Sequence, residues 1–220
     1  MTQYETFTMQ NVIFQIEKIP ENFNEPRYLP VLNREELFRY KNFSNVLKKR
    51  QFLFSRFILK NKLYEVTGVN ADEIYFEIGE HGKPFLPNQR THFSIAHSEN
   101  YVGYVISKKE VGLDIQVQRE FQDVNALIEK VCHENEIKSL SHISDKASYF
   151  LKLWSLKEAY SKCTGEGFQA KFKTLDFSTL IKSEFTEPQN LEVQGRHYEV
   201  LFKVLDRTQK IYVAAFKRIY

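Results

Sequence analysis

Asp114 and Gln116 stand two residues apart in the run VGLDIQV, whose alternation reads as a β-strand and sends both side chains off one face. Glu158 lies in LWSLKEAYSKCTGEGF, one turn after Trp154 on a stretch of helical periodicity. Oxygen donors from a strand and a facing helix are what a hard divalent cation such as Mg2+ takes, with water and phosphate oxygens completing its shell. The plainer reading is a strand Asp and a helix Glu in surface ion pairs, since carboxylates are mostly solvated. Residue types and spacing leave both open.

Residues 39–62 hold Arg39, Lys41, Lys48, Lys49, Arg50, Arg56, Lys60 and Lys62 and no Asp or Glu, a local charge of +8 in a chain whose net charge is +3. Such a strip attracts anions. Arg50 borders the apolar stripe through Leu47 and Phe54 and so can reach into a cleft. A phosphate site, a solvated helix face and a docking face for an acidic partner all fit. His97, in FSIAHSEN after a strand pattern, is flanked by Ser98, but sequence neighbours rarely form a Ser/His pair and no third member is visible. A phosphate-binding His at a strand end and a plain turn His remain. Lys83, between Gly82 and Pro84, puts a cation in a rigid loop. His81, His92, His133, His142 and His197 show no metal-ligand spacing, and neither a P-loop nor a dinucleotide glycine fingerprint is present.

The elements that must carry these residues follow from periodicity and punctuation. A helix is expected over 35–62. Strands are expected at 93–96, 101–107 and 111–117, read as adjacent antiparallel partners joined by tight turns, the second turn at Lys108-Lys109-Glu110. Two helices should span 123–140 and 145–163, the latter capped by Ser144 or Asp145 and closed by Gly165. Strands then return at 191–193, 198–204 and 210–216, separated by Gln194-Gly195-Arg196 and Asp206-Arg207-Thr208. Loose, Pro-marked loops fall at 21–30 and 84–89. Each half is helical first and stranded second, an order that favours α+β, although no residue-level repeat links the halves.

Composition sets the outer limits. The chain has 220 residues, 42% hydrophobic and 27% charged, enough for one large domain or two small ones sharing a core and too apolar for disorder. Its 31 basic and 28 acidic residues lack the clearer excess a nucleic-acid coat usually needs, so bulk charge rules little in and nothing out. The two cysteines, Cys132 and Cys163, offer neither a disulfide framework nor a Cys-based zinc site. The start, MTQYETFTMQ, lacks the marks of a signal peptide, and no apolar run approaches the ~20 residues of a bilayer span. The expectation is a soluble, cytoplasmic protein with reduced thiols and no membrane or nucleic-acid partner.

Three blocks in order, GKPFLP with THFSIAHS, then VGLDIQ, then LWSLKEAYSKCTGEGF, resemble the Sfp-type 4'-phosphopantetheinyl transferase family, with the basic helix around Arg50 fitting more loosely. The Trp-Ser-x-Lys-Glu-Ala helix that ends in a Gly-x-Gly turn is the most specific of them. The resemblance implies an α+β pseudodimer of two similar halves, 1–109 and 110–220, with the active site at their interface. It implies transfer of 4'-phosphopantetheine from coenzyme A to a serine of an apo acyl or peptidyl carrier protein, releasing adenosine 3',5'-bisphosphate. It assigns Asp114, Glu158 and Gln116 to Mg2+. It assigns Glu158 and Lys162 to catalysis, and Arg50, Lys83, His97, Lys157 and Lys162 to substrate phosphates. A monomer is expected.

One departure stands out: the family most often has an acid where this chain has Gln116, which can offer Mg2+ an oxygen but no charge. The rival expectation is therefore a catalytically silent module that binds coenzyme A or a carrier protein. The retention of Asp114, Lys157, Glu158 and Lys162 together speaks against it.

Overall fold

The computed structural model describes residues 9–87, 90–140, 143–167, 172–181, 187–206 and 208–220. The first eight residues of the start, Asn88 and Gln89 of the second loop, His142, Phe168 at the end of the third block and Arg207 of the last turn lie outside the described residues.

The first sheet takes β1 (Val12–Lys18), β4 (His92–Ser98) and β5 (Tyr101–Ser107) in the antiparallel order β1-β5-β4. The second takes β6 (Val111–Val117), β7 (Gln189–Val193), β8 (Arg196–Leu205) and β9 (Ile211–Arg218) in the order β6-β9-β8-β7, again antiparallel. Between β1 and β4 run the short α1 (Glu25–Tyr28), α2 (Arg34–Lys41), the long α3 (Val46–Thr67), and a small ladder of β2 (Glu77–Ile78) with β3 (Pro84–Phe85). Between β6 and β7 run α4 (Val124–Val131), α5 (Glu134–Leu140) and the long α6 (Lys146–Thr164). The α+β expectation holds in this arrangement.

Two expected elements divide. The helix at 35–62 is two helices, because Asn45 leaves helical geometry and its side chain accepts from Lys48 N at 2.9 Å, starting α3 afresh. The run at 123–140 breaks at Cys132 and His133, between α4 and α5. Strand pairing differs too. The turn 108–110 does not close a hairpin, since β5 belongs to the first sheet and β6 pairs with β9. Period-2 patterning marks a strand but is silent about its partner.

At α6 the punctuation reads correctly. Asp145 is the N-cap, its side chain accepting from Ser148 N at 3.0 Å, and Gly165 closes the helix at φ 78, a left-handed setting that favours glycine. The cap hydrogen bonds hold the Asp145 carboxyl at about 2, with Lys210 adding to them. A carboxyl held this low stabilises the fold above its ordinary value, and that contribution fades as pH falls through about 2. Asp145→Ala is expected to cost about 1 kcal/mol in urea unfolding at pH 7. At pH 2 the cost should shrink toward zero.

Three apolar clusters fill the molecule. One packs α3 on the first sheet around Leu53, Leu59, Leu63 and Phe93. A second packs α6 on the second sheet around Leu153, Leu156, Tyr160, Phe202 and Phe216. A third lies between the sheets, where Ile16, Ala96 and Val105 meet Leu113, Ile115, Leu201 and Val213. In β6 the odd positions therefore face the other sheet, and the even positions Gly112, Asp114 and Gln116 face α6. Gly112 permits the contact: a Cβ there would lie 1.9 Å from Ala159 O and 2.3 Å from Cys163 N.

Candidate active site

The pleat of β6 puts Asp114 and Gln116 on the face that α6 covers, two residues beyond the glycine that lets the helix close in. Asp114 is 4% exposed and takes two partners: Lys162 Nζ donates to Oδ1 at 2.6 Å and Gln116 Nε2 donates to Oδ2 at 2.8 Å. A carboxylate this buried needs such partners. Glu158 is half-buried one turn before Lys162. Burial raises its pKa above the ordinary 4.5, Lys162 pulls it down and Asp114 pushes it up, so the three groups share one field.

β4 supplies the other wall. Ser94 and Ser98 leave one face of that strand and accept from the backbone of β6, Leu113 N to Ser94 Oγ at 3.1 Å and Val117 N to Ser98 Oγ at 3.0 Å. These two bonds lace the first sheet to the second beside Asp114. His97 leaves the opposite face with an exposed edge. Crowding by the surrounding chain lowers its pKa below 6.5, Lys162 and Lys48 lower it further, and Asp114 opposes them. Lys162 and Asp114 thus act on both Glu158 and His97, and Lys48 acts on His97.

Other expected members stand elsewhere. Lys157 is fully buried on another face of α6, its ammonium 2.7 Å from Phe172 O, 2.6 Å from Leu175 O and 2.9 Å from Glu136 Oε2. To meet substrate phosphate, as the sequence leads one to expect, it would have to abandon all three partners. Lys83 donates to Val111 O at 3.1 Å and Cys163 O at 3.4 Å, so its contact is with the C-terminal end of α6. Arg50 is exposed at the first turns of α3, its guanidinium 5.5 Å over the Phe23 ring.

The basic strip is not one wall either. Arg56 and Lys60 are buried against Glu36 at 2.8 and 2.6 Å, Lys62 pairs with Glu65 at 2.6 Å, and Lys49 lies 4.6 Å over the Tyr40 ring. What remains toward the site is Lys48, which the strip contained but spacing did not single out. The bonds of Ser94 and Ser98 to β6 are not legible in the sequence, although strand alternation in FSIAHS puts both hydroxyls on one face.

The donor set fits a hard cation. Among the described residues no group of three or more His, Cys, Asp or Glu converges; an ion held here would draw on Asp114, Glu158 and the Gln116 amide. Mg2+ characteristically binds through one or two carboxylates and takes its remaining ligands from water and substrate phosphates.

Asp114 and Glu158 thus stand beside Lys162, with His97 in the field of Lys162 and Asp114. The family model for ACPS, the 4'-phosphopantetheinyl transferase superfamily, matches residues 110–216. The L-aminoadipate-semialdehyde dehydrogenase-phosphopantetheinyl transferase of Saccharomyces cerevisiae is 33% identical over 168 residues, 70% of this chain and 59% of that protein. The 4'-phosphopantetheinyl transferase gsp of Aneurinibacillus migulanus is 32% identical over 139 residues, 62% of this chain and 57% of that protein. HetI of a Nostoc species, also named a 4'-phosphopantetheinyl transferase, is 28% identical over 168 residues, 73% of this chain and 69% of that protein. The chain thus spans less than two thirds of the length of the first two of these relatives.

Proposed function

We propose that the chain is a Mg2+-dependent holo-[acyl-carrier-protein] synthase that moves 4'-phosphopantetheine from coenzyme A to a serine of an apo carrier protein. The observation that carries the reading is the gathering of Asp114, Glu158, Lys162 and His97 at the seam, in a chain whose relatives bear transferase names. Those names do not favour the silent binding module.

In this reading the carrier serine oxygen attacks the phosphorus next to the pantetheine arm. A P–O bond forms to serine, the P–O bond to the nucleotide breaks, and adenosine 3',5'-bisphosphate leaves. Glu158 receives the serine proton. Lys162 neutralises charge growing on the leaving bisphosphate. Beside it His97 meets the nucleotide's 3'-phosphate, while Lys48 supplies charge and Arg50 stands at the outer margin. Lys83 serves by holding the Gly82 turn to the end of α6. Asp114, Glu158 and Gln116 would hold Mg2+, which when bound neutralises the diphosphate. Phosphoryl transfer asks mainly for positioning and charge neutralisation, so this short cast suffices.

The proposal includes a pseudodimer with halves at 1–109 and 110–220 and the active site between them. Matching topology supports it: in both sheets the strand before the helices (β1, β6) pairs with the last strand (β5, β9), which pairs with the strand before it. The long helices supply a residue-level match as well. Leu59-Lys60 and Thr67-Gly68 recur at the same spacing as Leu156-Lys157 and Thr164-Gly165, with both glycines at left-handed φ, 76 and 78. A monomer working in the cytoplasm, without nucleic acid or membrane, completes the reading; no helix among the described residues is long and apolar enough to cross a membrane.

The test is incubation with coenzyme A, Mg2+ and a panel of apo carriers, followed by intact mass. Gln116 offers a finer check. Gln116→Glu adds a charged oxygen where the amide now bonds Asp114. It is expected to keep activity or lower the Mg2+ needed for half-maximal rate. Complete loss of activity in a folded variant would contradict a place for this residue beside the metal.

A further inference from the structure

We infer that Glu136 and Lys157 are a positioning pair that sets the seating of α6 and thereby aims Glu158 and Lys162. The inference rests on the proposed roles of those two residues.

Both members are 0% exposed. The ammonium's three donors are met by Glu136, Phe172 O and Leu175 O. Glu136 in turn accepts from His133 N and Phe177 N, each at 2.8 Å. One ion pair therefore ties α6 to the start of α5 and to the chain at 172–177. A buried pair contributes little net stability over well-packed apolar residues, because desolvation consumes the Coulombic gain; its best-attested use is to specify register. Only one seating of α6 satisfies all these partners. Glu158 is the next residue and Lys162 follows one turn later, so a helix released from the pair carries both off their mark.

The other half contains the same device without the chemistry. Lys60 is 0% exposed, with Glu36 Oε2 at 2.6 Å and Val31 O at 2.8 Å. Glu36 accepts from Asn33 N as Glu136 accepts from His133 N. After Lys60, however, comes Asn61, whose amide bonds Phe57 O at 2.9 Å, and at the place of Lys162 stands Glu65, paired with Lys62. An anchor kept where no reaction is served is a seating device. In the second half alone, seating matters to catalysis.

This supplies an internal control. Lys157→Met, Glu136→Gln and Lys60→Met are made in the full chain, and urea stability, kcat, KM for coenzyme A and the emission of Trp154, the sole tryptophan, are recorded. With all three folded, Lys157→Met and Glu136→Gln should lower kcat about 10²-fold with KM changed less than about threefold, as misplacement of reacting groups does. Both should shift Trp154 emission, and Lys60→Met should leave emission and kcat unchanged. Glu136→Gln keeps the shape of the site and so serves if Lys157→Met does not fold. Wild-type kcat and emission in either folded second-half variant, or an equal loss of kcat in Lys60→Met, would overturn the inference. A wild-type chain that modifies no carrier would instead sink the proposed function, and Trp154 emission would still decide the seating.

Discussion

Glu158→Gln is expected to lower turnover about 10³-fold without unfolding the protein, the scale of a lost general base. The carboxyl is half-buried and its pKa is raised chiefly by burial, so the native protein pays to keep it ionised at neutral pH. An amide of the same shape escapes that cost, and stability in urea should hold or rise slightly. The pH profile gives a second reading of the same group. As the proposed base, Glu158 acts only when deprotonated, so kcat/KM of the wild type should show an acid limb. In Glu158→Gln that limb should vanish along with most of the rate. A variant that keeps turnover within tenfold of the wild type, with its acid limb in place, would assign the base to another group.

Gly112→Ala should be the most damaging small substitution in the chain. The added methyl would sit 1.9 Å from Ala159 O, 2.3 Å from Cys163 N and 2.9 Å from Cys163 Cα, all of them backbone atoms in the last turns of α6. No rotamer change relieves such contacts, so the helix must lift from β6. The expected cost is about 3 kcal/mol or more in urea unfolding, at the upper end for overpacking. Because the helix that lifts carries Lys162, its bond to Asp114 should be lost with the packing. Gly79→Ala is the control: its Cβ would approach only Lys83 O, at 3.4 Å, an ordinary contact. Equal unfolding midpoints for the two variants would show that α6 does not rest on Gly112 in the way described.

Much of the local structure was legible in the residues, and the reasons are particular. The Asp145 cap and the Gly165 stop bound α6 because capping chemistry is local. Asp114 and Gln116 share a face because strand alternation leaves no other choice. What escaped depends on distant partners. Lys157 and Glu158 are neighbours with opposite fates, one in the core and one at the seam, and only the sheet under α6 decides which face is which. Arg56 and Lys60 counted toward an anion-binding strip until Glu36, well upstream on another helix, absorbed them. β6 looks like the third strand of a meander, and only its pairing with β9, a hundred residues on, moves it to the second sheet. The likeness of the two halves was hidden for a similar reason. Four matching residues in the long helices are too few to notice before the strands are seen to pair in the same order.

One measurement tests the proposed transfer most directly: the intact mass of an apo carrier protein after incubation with this chain, coenzyme A and Mg2+. The predicted result is a gain equal to one phosphopantetheine on the carrier, dependent on Mg2+ and absent with Glu158→Ala. Coenzyme A bound by the wild-type protein with no gain on any carrier of a fatty-acid, polyketide and peptide panel would contradict it.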